Sequence, residues 1–267
     1  MSAPPVGVIG GSGFYALLDG AREQVVKTPY GAASAPVTLG TLAGREIAFV
    51  PRHGAHHRFP PHLVPYRANL WALRSLGVRQ VLSLSAVGSL TPALPQGALV
   101  VPDQIADRTH GRAHTYYDGS FEGVGHATFA DPYCPGLRGA AVGTQLAGGT
   151  SGTLLVVNGP RFSSRAESLE FQARGWSIIG MTAMPEAGLA RELALCYATL
   201  ALVTDLDAGV EAGEGVTHAE VLETFAANLP RLRELLVGTV AAMPADQRSS
   251  PCTCSDLSGT PDGFVLP

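Results

Sequence analysis

The chain has 267 residues, is 46% hydrophobic and 15% charged, and carries a formal net charge of −4. That length suits one large α/β domain or two small ones with a substantial core, and the mildly acidic balance lacks the basic footprint of a nucleic-acid binder. No apolar run reaches the roughly 20 residues of a membrane span, and the opening Met1-Ser-Ala-Pro-Pro-Val6 has neither the basic nor the apolar region of a signal peptide, so a cytoplasmic protein is expected.

Val6–Ile9 reads as a buried strand running into Gly10-Gly-Ser-Gly13. A strand that ends in a glycine turn offers backbone N–H groups to an anion, and Ser12 adds a hydroxyl. The dinucleotide spacing and the P-loop lysine are both missing. Val37–Leu39 and Glu46–Val50 alternate as two strands about Gly44. The second ends in Pro51-Arg-His-Gly54, where the guanidinium of Arg52 beside His53 suits an oxyanion. His53, His56 and His57 also cluster in sequence, but with no carboxylate nearby and no zinc spacing, and no metal is expected.

Pro65–Leu76 has helical periodicity and stops at Gly77. Gln80–Ser85 is a strand closing on Ala86-Val-Gly-Ser89, a second glycine turn with a hydroxyl at Ser85. Leu99–Pro102 is a strand, and Asp103–Arg108 a loop after it. Thr109–Pro135, which contains His126, is a long loop rich in glycine, histidine and aromatics, of the kind that is functional or interface-forming. A helix follows at Leu137–Leu146, then a strand at Gly152–Val157 ending in Asn158-Gly-Pro-Arg-Phe162. Ser164 and Glu167 stand at capping-box spacing. Ile178–Thr182 leads to a helix with Pro185 at its first position, and a last helix covers His218–Met243. The tail after Pro244 is polar and expected to be loose. Cys196 fits a buried small hydrophobe. Cys252-Thr-Cys254 is too sparse for a zinc site by itself and is open between a tight disulfide and exposed thiols.

The apolar run Ala198–Val203 ends in Thr204-Asp-Leu-Asp207. On an extended strand end the two carboxylates share one side, and α/β sheets place ligands at the carboxyl ends of their strands. In isolation, a helix cap at Asp205 and a solvated turn at Asp207 are the stronger reading. Strands alternate with helices throughout, and several strand ends carry Gly, Ser, Thr, Arg or Asp. This pattern describes a single α/β domain over residues 1–267, with a ligand site assembled from strand ends.

Taken together, Gly7–Gly13, Arg52-His-Gly54, Tyr66–Leu73, Ala86–Leu90, Tyr117-Asp-Gly119, Gly159–Ser168, Gly180-Met-Thr182 with Pro185-Glu186, and Thr204–Asp207 resemble the methylthioadenosine phosphorylase branch of the trimeric purine nucleoside phosphorylases. The resemblance implies a mixed central β-sheet flanked by helices, a homotrimer, no cofactor beyond inorganic phosphate as co-substrate, and phosphorolysis of a nucleoside in purine and methionine salvage. It implies that Ser12, Arg52, His53, Ser85, Ala86 and Thr182 surround phosphate. Met181 would lie against the ribose, and Phe162 would stack near the base with Ser163 beside it. Asp205, Leu206 and Asp207 would face the purine, and His126 would reach toward the 5′ group from a neighbouring subunit. Departures from the family pattern are Asn158 in place of a usual Glu, Ser12 and Ser85 in place of threonines, Gly180 in place of a frequent Asn, and His218 in place of an aliphatic residue of the 5′ pocket.

The implied chemistry is coherent. Phosphate is a weak nucleophile, so positioning and charge neutralisation dominate. The base departs readily only when its developing charge is neutralised, and Asp205 can protonate N7 if burial raises its pKa. A carboxylate also accepts from a 6-amino group, whereas a 6-oxo group suits an amide, so adenine is the expected base. The rivals are a 6-oxopurine nucleoside or methylthioinosine phosphorylase on the same fold, a hydrolase using water, and a non-catalytic nucleotide- or metal-binding module.

Overall fold

A computed structural model of the chain describes residues 3–11, 18–208, 210, 217–249 and 252–267. The strands are β1 (Val6–Gly10), β2 (Asp19–Gln24), β3 (Val37–Leu42), β4 (Arg45–Pro51), β5 (Gln80–Ser89), β6 (Leu99–Val100), β7 (Gln104–Arg108), β8 (Thr153–Val157), β9 (Ile178–Gly180) and β10 (Cys196–Leu206). The helices are α1 (Tyr66–Ser75), α2 (Pro135–Gly143), α3 (Arg165–Ala173), α4 (Ala183–Glu192) and α5 (His218–Ala242).

Among the described residues the strands form one mixed sheet in the order β2-β3-β4-β1-β5-β9-β8-β7, with β10 pairing β5 and β6. The strands that build the centre, β4, β1, β5 and β10, run parallel to their neighbours in this group, so their carboxyl ends share one edge. Their side chains divide strictly by alternation. Val8, Leu82, Ala198 and Leu200 pack with Leu137 of α2 and Leu235 of α5 on one face. Ile9, Val81 and Tyr197 pack with Leu70 and Leu73 of α1 and Leu189 of α4 on the other. Leu82 and Leu200 are completely buried, a state worth about 1.5–3 kcal/mol for each such side chain relative to exposure.

Ser164 caps α3 in a capping box with Glu167, as its spacing predicts. A second box, Thr217 with Glu220, starts α5. Two edge strands differ from the sequence reading. β2 is polar and largely exposed, and β7 forms where a loop was expected; β2 has no apolar face to bury and β7 only half-buries the adjacent Ile105 and Ala106, so neither shows an apolar alternation. α4 begins at Ala183 rather than Pro185, but Met184 is non-helical (φ −115°, ψ 135°), as the residue before a proline should be. The stretch after Pro244 is not loose: Gln247 donates to Ala194 O at 2.8 Å, and Phe264 and Leu266 pack against the α1–α4 face. Nor are the Cys-x-Cys thiols simply exposed, because Cys254 is buried and Cys252 half-buried against Cys196. No helix among the described residues is long and apolar enough to cross a membrane.

Candidate active site

The shared edge of the central strands opens into a cavity of about 510 Å³. β4 delivers Arg52 and His53; β5 delivers Ser85, Ala86, Val87 and Gly88; β9 delivers Gly180, Met181 and Thr182; β10 delivers Thr204, Asp205 and Asp207. Phe162 and Ser163 enter from the β8–α3 connection, and His218 from the start of α5. Eleven positions expected from the sequence therefore line one cavity: Arg52, His53, Ser85, Ala86, Phe162, Ser163, Met181, Thr182, Asp205, Asp207 and His218. Leu206 ends β10 half-buried beside the cavity and does not line it. His126 lies elsewhere, exposed, with its N–H donating to Gly259 O at 2.7 Å. Ser12 falls outside the described residues.

Arg52 is 3% exposed and Glu186 1% exposed, and they form a two-point ion pair: Nε to Oε2 at 2.8 Å and Nη2 to Oε1 at 3.0 Å. Nη2 also donates to Ser83 Oγ (2.6 Å) and Nη1 to Leu84 O (2.9 Å). The hydroxyls of Ser83 and Tyr197 complete the Glu186 carboxylate at 2.7 and 2.8 Å. Burial by itself would weaken the guanidinium charge, but the Glu186 carboxylate outweighs it and holds Arg52 firmly cationic. The guanidinium fork expected at an oxyanion is engaged by Glu186 in this structure. The fork faces Glu186, and four of its five N–H groups are already donated within the protein. Sequence reading missed Glu186 in this role, although a carboxylate next to Pro185 in an otherwise apolar helix start was a usable signal: a buried arginine needs a buried acid.

His53 Nδ1 lies 2.8 Å from the Phe59 carbonyl oxygen, so Nδ1 carries the proton. Burial, then the adjacent Arg52 charge, push its pKa down to about 4. The ring is therefore neutral at pH 7, with Nε2 as an acceptor. His56 and His57 sit at φ 55° and 54°, a left-handed turn that histidine tolerates better than most residues. This turn stacks His57 on His53 with 5.0 Å between ring centroids. His57 lines the cavity together with Phe59, Pro60, Pro61 and Val221, and burial followed by the proximity of His218 lowers its pKa. Ser85 Oγ is buried and has no partner among the described residues. Thr182 caps α4 without a side-chain cap bond, which leaves its hydroxyl near the helix N-terminus, where anions are stabilised.

The opposite side of the cavity is acidic. The β5–β10 register slips between Val203 and Asp205, so a bulge at Thr204 re-aims the strand end. Thr204 Oγ1 donates to Asp205 Oδ1 at 2.8 Å. Asp205 lies over the backbone of Gly88, where a Cβ would stand only 2.8 Å from Oδ2. Burial raises the pKa of Asp205 above the usual carboxylate range, against the pull of the Thr204 hydroxyl, and the charges of Asp207 and Glu220 add to the rise. Burial also raises Asp207, with the Ser168 and Ser163 hydroxyls opposing it, and Asp207 Oδ2 has no hydrogen-bond partner among the described residues. Between the two sides, Met181 packs over Gly159 (φ +61°), leaving no room for a side chain there. Asn158 accepts from Arg112 Nε at 3.2 Å, so this buried arginine is held by a neutral amide and by the carbonyls of Asn158 and Met184.

Residues 5–241 match the model of the phosphorylase superfamily. A purine nucleoside phosphorylase of Streptomyces coelicolor is 55% identical over 273 residues, covering 98% of this chain and 97% of that protein. An S-methyl-5′-thioadenosine phosphorylase of Mycolicibacterium smegmatis is 54% identical over 98% of this chain and 99% of its own length. A methylthioadenosine phosphorylase crystal structure from an antarctic soil metagenomic library superposes with a TM-score of 0.85 at 39% identity, over 96% of this chain and 91% of that one. The strand-end cavity, its cationic and acidic sides and these likenesses agree: the chain belongs to the phosphorylase superfamily.

Proposed function

We propose that the protein catalyses phosphorolysis of 5′-methylthioadenosine. Inorganic phosphate attacks the anomeric carbon, the C1′–N9 bond breaks, and adenine and 5-methylthioribose 1-phosphate result. The observation that carries this reading is the two-sided cavity, with Ser85, Thr182 and His53 near a buried cation and two carboxylates across from them, one of which, Asp207, has an oxygen without a partner among the described residues. Phosphate in this reading takes the Ser85 hydroxyl, the Ala86 backbone, the Thr182 hydroxyl and the α4 N-terminus, with Ser12 completing the set. Arg52 supplies field and rigidity more than grip. The His53 Nε2 lone pair accepts from a protonated phosphate oxygen, which keeps the attacking oxygen aimed away from it. Met181 abuts the sugar and Phe162 the base. Asp205 is poised to deliver a proton to N7 as the glycosidic bond lengthens, and Asp207 and Ser163 read the 6-substituent. Leu206 contributes through its backbone between them.

The 5′ end in this arrangement meets the wall of His57, Phe59, Pro60, Pro61, His218 and Val221, and a neighbouring subunit brings His126 to it. A homotrimer and a cytoplasmic location belong to the same reading, as does catalysis with no cofactor other than phosphate as co-substrate.

One observation favours a second reading. Both aspartates are pushed toward protonation, and a protonated carboxyl donates to a 6-oxo group as readily as a carboxylate accepts from a 6-amino group. Base release from 5′-methylthioadenosine and from inosine, each with and without phosphate, separates the readings. Adenine released only with phosphate is the expected result. Hypoxanthine alone would move the activity to 6-oxopurine nucleosides, and release without phosphate would make the enzyme a hydrolase.

A further inference from the structure

The four cysteines of the chain meet at the end of the sheet remote from the cavity, and none of them lines it. Cys196 opens β10, nine positions before Asp205, a distance of about 30 Å along an extended strand. Cys134 caps the N-terminus of α2, and its N–H donates to Tyr197 O at 2.8 Å. Cys252 and Cys254 arrive from the C-terminal tail. All four Sγ atoms lie within 4.8 Å of one another, with Cys196 and Cys252 at 3.5 Å. Cys134 and Cys196 are fully buried and Cys254 is 2% exposed. Four sulfurs this close repel one another once deprotonated, and a bound cation supplies the counter-charge the thiolates need.

A tetrahedral tetrathiolate with metal–sulfur bonds near 2.3 Å has sulfur–sulfur edges of about 3.8 Å. Adjusting the observed separations, from 3.5 Å for Cys196 and Cys252 up to at most 4.8 Å, to those edges takes shifts on the order of 1 Å or less. A pair of disulfides would need only two sulfur–sulfur contacts, at about 2.05 Å each; mutual proximity of all four atoms is what a shared central ion requires. The donor set is all sulfur, which selects soft or borderline ions of the zinc type over calcium or magnesium. The positive end of α2 beside Cys134 offsets part of the thiolate charge.

We propose that Cys134, Cys196, Cys252 and Cys254 form a structural tetrathiolate site for Zn²⁺ that fastens the C-terminal tail to the sheet. Binding forms four Zn–S bonds and releases up to four thiol protons to solvent, with no change of oxidation state and no oxidant. The tail so fastened is the surface on which the long loop rests. His126 N–H donates to Gly259 O, and Phe264 packs edge-on against both Tyr117 and Phe121 at 5.2 Å. The ion therefore orders, at one remove, the loop that carries His126.

The test is metal analysis of full-length protein purified under reductant and reconstituted with Zn²⁺, with intact mass and thiol counts taken in parallel. One zinc per chain, four thiols protected from a maleimide until chelator and denaturant are added, and a melting temperature raised by roughly 5 °C or more on zinc saturation are expected. Co²⁺ in place of Zn²⁺ should give the intense visible bands of a tetrahedral sulfur site; this uses the unaltered protein and does not depend on a variant folding. Cys252→Ser and Cys254→Ser should each weaken zinc binding and abolish the zinc-dependent rise in melting temperature. Failure of the reduced protein to bind Zn²⁺ or Co²⁺, or a mass four protons short of the reduced chain with no metal, would overturn the proposal; the latter would assign two disulfides instead. None of these readouts depends on the catalytic assignment.

Discussion

The two sides of the cavity are built on opposite electrostatic principles. On one side Arg52 is buried with every strong partner in place: Glu186 at two points, Ser83, Leu84 O and, through Glu186, Tyr197. On the other side Asp205 is half-buried and Asp207 buried, and Asp207 Oδ2 has no partner among the described residues. The first arrangement is rigid and holds its charge. The second is held away from its preferred state and relaxes only when a ligand supplies the missing hydrogen bonds. Saturation gives a fixed field, whereas deprivation gives reactivity and selectivity, and only the deprived side should gain stability when it is dismantled.

The largest effect should come from the saturated side. Glu186→Gln strands a buried guanidinium, which costs about 3–5 kcal/mol, visible as a melting temperature lower by about 10 °C. Replacing Arg52 and Glu186 together by methionine should recover most of that loss while leaving phosphate turnover abolished. If the double variant melts as low as the single one, the pair is not the coupled unit described above.

Next, Asp205→Asn should lower kcat by about 10²–10⁴-fold, the range for loss of a general acid, with little change in phosphate KM. Its melting temperature at pH 7 should rise, because a carboxylate with a raised pKa opposes folding when ionised. A fall in both activity and stability would refute the contrast drawn here.

The third effect is acid sensitivity. His53 has a folded-state pKa of about 4, below its unfolded value near 6.5. Between those values the unfolded chain binds a proton that the folded one does not, so stability falls as pH drops from 6.5 toward 4 and then levels off. The full shift corresponds to about 3 kcal/mol as an upper bound. Asp205 and Asp207, with raised pKa values, act in the opposite direction on acidification. Comparing wild type with His53→Asn across this window cancels their contribution, and the variant should lose less stability than wild type.

Gly88→Ala tests the packing under Asp205. Its Cβ would approach Oδ2 to 2.8 Å, so the carboxylate must shift, with a stability cost of about 1–3 kcal/mol and a loss of kcat larger than any change in phosphate KM. The smallest effect on stability should be that of Ser85→Ala. It removes a hydroxyl with no partner among the described residues, so unfolding should change by less than about 0.5 kcal/mol. Phosphate KM should nonetheless rise by about 5- to 10-fold, the worth of one hydrogen bond.

The sequence exposed the acidic side better than the cationic one. Asp205 and Asp207 stand at the end of a long apolar strand; local pattern by itself favours a cap and a solvated turn there, and the other strand ends supplied the case for a site. Arg52 was equally visible, but its partner Glu186 lies 134 positions away, and nothing in local pattern links the two. β2 and β7 were illegible for a related reason: edge strands need only backbone partners, and their side chains obey no burial rule. The bulge at Thr204 was hidden as well, since it arises from pairing with β5 and not from any residue in β10 itself. The cysteine cluster shows the same limit, because a Cys-x-Cys pair acquires meaning only when the fold brings Cys134 and Cys196 to it.

The pairing of β5 with β10 also governs when the cavity can exist. Gln80 lies opposite Cys196 and Ser89 opposite Leu206, so the central parallel pair joins strands more than a hundred residues apart in the chain. Contacts of such high sequence separation close slowly and late. During synthesis the apolar edge of β5 must wait for β10 to emerge, and in that interval it is an unpaired strand open to other chains. Yield on expression should thus depend more on how well β5 is shielded during synthesis than on the stability of the finished fold.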